Sequence, residues 1–149
     1  MAKGIVTEII DLLELQRSFI KNVESLNDDQ LNWIPKGSKN SIGILIEHMT
    51  GAERSLVQQM IFGLDITRDR DKEFENRKRS VRELVKSYTE TAQITKNLLS
   101  SKLTDDKLLE VRTRNGVKKT IFWALGHLLE HNNYHIGQVN LMLAMIKET

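Results

Sequence analysis

Apolar residues recur three and four positions apart along most of the chain, the spacing that lines one face of an α-helix. Ile5, Ile9, Leu12, Leu13, Leu15, Phe19, Ile20 and Val23 set out a first helix over residues 4–26. Asn27 suits the cap of a short helical turn at residues 27–31, and Trp33-Ile34-Pro35-Lys36-Gly37 opens a loop that runs to residue 40. Ser41 can cap a second helix over residues 42–62, striped by Ile42, Leu45, Ile46, Met49, Ala52, Leu56 and Met60, and Gly63 can end it. Residues 65–78 alternate charges around only Ile66 and Phe74, and read as an exposed, solvated connection. A third helix is expected over residues 80–99, a second short turn at Leu103-Thr104-Asp105-Asp106-Lys107-Leu108, a turn at Arg114-Asn115-Gly116-Val117, and a fourth helix over residues 119–147.

The second short turn echoes Leu26-Asn27-Asp28-Asp29-Gln30-Leu31 in register, and Ser41 precedes His48 by the same seven positions that separate Thr120 from His127. Two helix–turn–loop–helix halves related by a pseudo-twofold would look like this, although so short a match also arises by chance. Four amphipathic helices with a longer central connection make the expected fold all-α, an up-down four-helix bundle occupying residues 1–149 as a single domain.

Composition narrows the function classes. Aromatic residues are 5% of the chain and there is one proline, which suits helix packing better than an all-β fold dense in turns. A net charge of +2 gives no case for nucleic acid or acidic lipid; the basic cluster Arg77-Lys78-Arg79 and Arg82 is diluted by nearby acids. No run is long and apolar enough for a membrane span, and Met1-Ala2-Lys3-Gly4 does not begin a signal peptide, so a cytoplasmic location is expected. With no cysteine in the chain, any metal must sit on His, Asp or Glu.

The chain has four histidines, and their placement carries the chemistry. His127, His131 and His135 follow one another at intervals of four, nearly above each other on the fourth helix. Two such imidazoles can share one ion, and His48 lies on the second helix among Leu45, Met49 and Ala52. Two nitrogens from one helix and one from a neighbour make a three-nitrogen site with open positions, as a catalytic metal requires. A lone helical histidine is more often a surface or satisfied core residue. A row of three is harder to place that way, because stacked imidazolium ions repel and buried imidazoles need partners. Glu47 and Glu130 each adjoin a histidine and so point away from it; they read as surface residues or as hydrogen-bond partners of the ligands. Tyr134 and Gln138 are candidates to line the site, Phe122 and Trp123 to pack in the core or at a subunit interface, and Met142 and Met145 to continue the apolar stripe into the core.

Two stretches resemble the DinB-like superfamily of metal-dependent enzymes, which includes bacillithiol- and mycothiol-dependent transferases. The first is Trp33-Ile34-Pro35 with Ser41-Ile42-Gly43-Ile44-Leu45-Ile46-Glu47-His48-Met49 and Glu53; the second runs from Leu125 through His127, Glu130-His131-Asn132-Asn133-Tyr134-His135 and Ile136-Gly137-Gln138 to Val139. The resemblance implies a four-helix bundle, often a homodimer, with one ion, commonly nickel or zinc, on His48, His131 and His135. Where the family often has arginine after the last ligand, this chain has Ile136, which removes that arginine's contact with an anion or substrate.

The resulting expectation is a metal-dependent enzyme acting on a small molecule. The ion would lower the pKa of a bound water, giving a hydrolase, or of a low-molecular-weight thiol, giving an S-transferase. His127 is the candidate catalytic proton acceptor; it reads equally as a buried polar residue at a helix seam, a hydrogen-bond partner of the ligands or a substitute ligand. The alternative is a non-catalytic dimeric stress-response or binding protein whose metal site is structural or vestigial.

Overall fold

The computed structural model of the protein describes residues 3–148; Met1 and Ala2, part of the stretch expected not to be a leader, lie outside them. The described chain is mostly helical, with one small two-stranded sheet. The first helical run covers residues 5–24 in three pieces: α1 (Ile5–Gln16), a tightened 3₁₀ turn at Arg17–Phe19, and α2 (Ile20–Glu24). Next comes α3 (Asp28–Asn32), closed by reciprocal bonds between Asn27 and Gln30. Ser41 caps α4 (Ile42–Glu53), its Oγ accepting from the Ile44 N–H at 3.1 Å. That helix widens into a π-helical stretch, Arg54–Ile61, and stops at Gly63, whose φ of +65° suits glycine. Within the long connection lies α5 (Arg70–Glu73), followed by α6 (Val81–Lys102) with Ser80 as its cap.

The expected turn at residues 114–117 is the bend of a hairpin. Val111–Arg114 (β1) and Val117–Thr120 (β2) pair antiparallel, with Val111 opposite Thr120 and Arg114 opposite Val117. Asn115 and Gly116 both have positive φ, 52° and 78°, as the tightest hairpin turns require. The strands correct the all-α expectation, and the last helix, α7 (Ile121–Lys147), starts two residues later than expected, capped by Thr120.

Two apolar clusters form the interior. One gathers Val6, Ile9 and Leu13 with Leu56, Leu99 and Leu128. The other gathers Ile20 and Val23 with Leu45, Met49, Leu84 and Val139. On each long helix a buried or half-buried polar group falls between members of the two clusters. Arg17 pairs through both terminal nitrogens with Glu53, at 2.6 and 3.0 Å. Thr95 donates to the same carboxylate at 2.7 Å, and Asn132 donates to Gln16 at 3.2 Å. Burial disfavours the charged form of Arg17, but its pairing with Glu53 outweighs this and raises its pKa.

The clusters also give the direction of each helix. The first run and α7 pass from the first cluster to the second, whereas α4 and α6 both pass from the second to the first. Alternating up-down topology is therefore corrected: α4 and α6 pack against each other in parallel. Parallel neighbours need a crossover that travels the length of the helices. Residues 62–80 make it, and this is why the charge-rich connection is not simply solvated.

The echo between the two short turns has a structural counterpart. Asp28 accepts from the first amide of α6, Val81 N–H, at 2.9 Å. Asp105, at the matching place in the second turn, accepts from the first two amides of α1, Ile5 and Val6, both at 2.9 Å. Gly4 leaves room for it, since a Cβ there would stand 2.8 Å from the Asp105 carboxylate. The two backbone bonds hold the Asp105 carboxyl below its usual pKa.

Candidate metal centre

His48 and His131 face each other across the α4–α7 seam, their Nε2 atoms 3.0 Å apart. The His135 ring stands edge-on to both, with centroids 5.1 Å from His48 and 4.5 Å from His131. One nitrogen from each of the three lies within 4.8 Å of the others, so this trio could hold a metal ion. The structure thus brings together the histidines expected to do so.

Their orientation follows from the partners of the outer nitrogens. His48 Nδ1 lies 3.0 Å from Glu73 Oε1, and His135 Nδ1 lies 2.8 Å from Gln138 Oε1. Both oxygens can only accept, so each Nδ1 carries the hydrogen and each Nε2 presents a lone pair inward. His131 Nδ1 is buried without a partner among the described residues. The His48 Nε2 lone pair faces His131 Nε2, so that contact needs either a hydrogen on His131 Nε2 or a cation shared by the two rings. Protonation is resisted: burial first, then neighbouring His135 and His48, pull His131 down to about 3. Burial likewise lowers His135, partly offset by its bond to Gln138. Three clustered imidazoles, two of them oriented by their outer partners, are the donor set of a borderline divalent ion, so the residues fit one.

Glu73 is brought by the crossover. Its carboxylate accepts from His48 and from Arg68, whose Nε and Nη2 lie at 2.8 and 2.9 Å. Burial favours the neutral acid, but the hydrogen bonds from His48 and Arg68 and the Arg68 charge prevail and lower the carboxyl's pKa. Gly51 makes this approach possible, because a Cβ there would fall 2.0 Å from Glu73 Oε2. Arg79 ties the crossover down: buried, it bonds Glu47 at 2.5 Å and the carbonyls of Glu73 and Glu75 at 2.9 and 3.0 Å. Phe74 lays its ring 4.7 Å from that of His48. A polar cavity of about 410 Å³ lies beyond, walled by Gly51, Arg54, Arg68 and Glu73; none of the three histidines lines it.

His127 stands apart from the trio. It stacks on Trp123 at 4.9 Å, its ring centroid is 6.0 Å from that of His131, and its side chain is 30% exposed. Glu130 is a surface residue 4.0 Å from it. Glu47 joins Arg77 and Arg79 instead of a histidine. Gln138 belongs to the site, while Tyr134 is mostly exposed beside His135. Met142 is buried as expected, whereas Met145 is exposed and not in the core; Phe122 and Trp123 lie at the surface, outside the core. Glu73, Arg68 and Gly51 were not singled out in the sequence. A glycine in a helix interior is costly without a packing reason, and Gly51 was the available signal.

Among solved structures, a DinB-like protein from Bacillus cereus ATCC 10987 superposes with a TM-score of 0.70 at 21% identity, covering 89% of this chain and 85% of that one. A conserved protein from Enterococcus faecalis superposes with a TM-score of 0.81 at 13% identity, over 99% of this chain and 100% of that one. At those identities the likeness is one of fold. No curated protein sequence matches the chain. The fold is therefore DinB-like, with three clustered histidines on its second and last long helices. The chain belongs to the family described as protein of unknown function DUF1572, whose profile matches residues 1–149.

Proposed function

We propose that the protein is a metal-dependent enzyme in which His48, His131 and His135 hold one divalent ion, nickel or zinc, and that it acts on a small electrophilic molecule. The observation that carries this is the convergence of three imidazoles, two of them locked in orientation by Glu73 and Gln138. A bound ion there supplies Lewis acidity, lowering the pKa of a water or of a low-molecular-weight thiol. Glu73 keeps His48 in the tautomer that offers Nε2 and balances positive charge at one remove. Phe74 shields the His48 ring from water. His127, one turn from His131 and partly open to solvent, receives the nucleophile's proton. Water as nucleophile gives hydrolysis, and a thiol gives S-transfer.

We read the four long helical stretches as one four-helix domain, cytoplasmic and homodimeric. Leu12 and Leu15 on α1 and Leu141 on α7, 49%, 72% and 65% exposed, supply an apolar face for a second copy.

Elemental analysis of the protein, expressed without a histidine tag, beside His131→Ala tests the proposal. Near-stoichiometric nickel or zinc that drops sharply in the variant is expected, followed by activity in hydrolase or thiol-transferase assays that the variant lacks. A parent protein that stays metal-free after incubation with both ions would sink the proposal and leave a non-catalytic binding protein.

A further inference from the structure

Strand β1 turns its side chains the wrong way round for an ordinary surface hairpin. Val111 is 57% exposed and Thr113 is also exposed, while Arg112 and Arg114 alternate inward and are partly buried. Arg112 explains itself: Nε donates to the Ile61 carbonyl at 3.2 Å and Nη2 pairs with Glu110 at 2.8 Å. Arg114 does not. Its single partner among the described residues is the hydroxyl of Ser55, at 3.4 Å, and no carboxylate lies within ion-pair distance. A partly buried guanidinium without a counter-charge is costly to keep.

Its surroundings deepen the imbalance. The positive charge of Arg68 reaches both Arg114 and His131. One carboxylate, Glu73, serves Arg68 and His48 together. The position relative to the histidines follows from the helices. Ser55 lies seven residues beyond His48, in the π-helical stretch that continues α4. Because α4 and α7 run in opposite directions, that level lies toward the start of α7, beyond His127 as seen from His131.

We propose that Arg114 forms an anion-binding subsite at the hairpin end of the α4–α7 seam that carries the three histidines, so that the molecule acted on carries a carboxylate or phosphate group. The planar fork of Arg114 takes two anion oxygens at once, and the Ser55 hydroxyl steadies the guanidinium. Calling this a substrate subsite rests on the metal-dependent function proposed above; the binding of an anion at Arg114 does not.

Inorganic phosphate is the probe, titrated by calorimetry and by NMR of arginine Nε–H signals into metal-free and nickel-loaded protein, with nickel content measured in parallel. Phosphate is expected to bind the parent and move the Arg114 signal. Arg114→Gln should weaken binding by about tenfold or more with nickel content unchanged. Arg114→Lys, which keeps the charge and loses the fork, should fall between them and serves if the glutamine variant misfolds. No phosphate binding to the parent, or equal affinity in parent and Arg114→Gln, overturns the subsite even if nickel is bound. Phosphate binding that depends on Arg114 in a protein that takes up no metal upholds the subsite and overturns the metal function instead.

Discussion

The two halves of the molecule share a framework and differ in chemistry. Asp28 fastens the start of α6 as Asp105 fastens the start of α1, and Ser41 caps α4 as Thr120 caps α7. Seven residues after each of those caps stands a histidine. His48 is buried, bonded to Glu73 and within reach of two other imidazoles. His127 is partly exposed and stacked on Trp123. The crossover after α4 lays Glu73 and Phe74 on His48, whereas His127 has Trp123 and Glu130 of its own helix beside it. The positions that match His131 and His135 are Ala52 on α4 and Leu56 in the π-helical stretch that follows it, both buried. Capping therefore repeats because every helix start needs it, while the site arises where the repeat is broken.

Exchanging the two histidines for alanine in turn should break the comparison most plainly. His48→Ala should lower metal content at least tenfold, and His127→Ala should leave it near the parent value, as read by elemental analysis. Equal losses would mean that the halves contribute alike. Glu73→Gln keeps the shape and removes the charge behind His48; metal affinity should drop about 10–100-fold in chelator competition. Gly51→Ala should give a similar loss by pushing Glu73 away, with about 1–3 kcal/mol of destabilisation from overpacking in urea unfolding.

A smaller effect concerns acid. His131 and His135 have folded pKa values below the unfolded value of 6.5, with His131 at about 3. The unfolded chain therefore binds these protons first, and the metal-free protein should lose stability as pH falls from 6.5 toward 3. Urea midpoints at pH 7 and 5.5 check this, and His131→Leu should flatten the difference. Smallest are the caps. Asp28→Ala and Asp105→Ala should each lower Tm by a few degrees. The Asp105 contribution should vanish as pH falls below its unfolded value of 3.8, because its folded pKa is depressed.

Much of this was legible before any coordinates. Helical periodicity placed the long helices, and Asn27, Ser41 and Gly63 punctuate the chain where expected. The histidine spacing, with the family resemblance, led to the trio that converges. The hairpin was hidden because β1 turns its valine outward and its arginines inward, inverting the amphipathic signal of a half-buried strand. Glu73 was hidden because a charge-dense segment does not announce which charge is buried. That choice depends on the parallel packing of α4 and α6, which local periodicity does not encode.

The reach of Asp105 has a consequence for how the protein is made. A ribosome releases the chain from its amino end. Asp28 is already outside when α6 begins to emerge, so that helix meets its fastening as it forms. The first turn of α1 waits, its leading amides bare, until a carboxylate 100 residues downstream has been synthesised. Of these two helices α1 is thus the one secured late, and its first turn has the longer opportunity to fray, or to engage a chaperone.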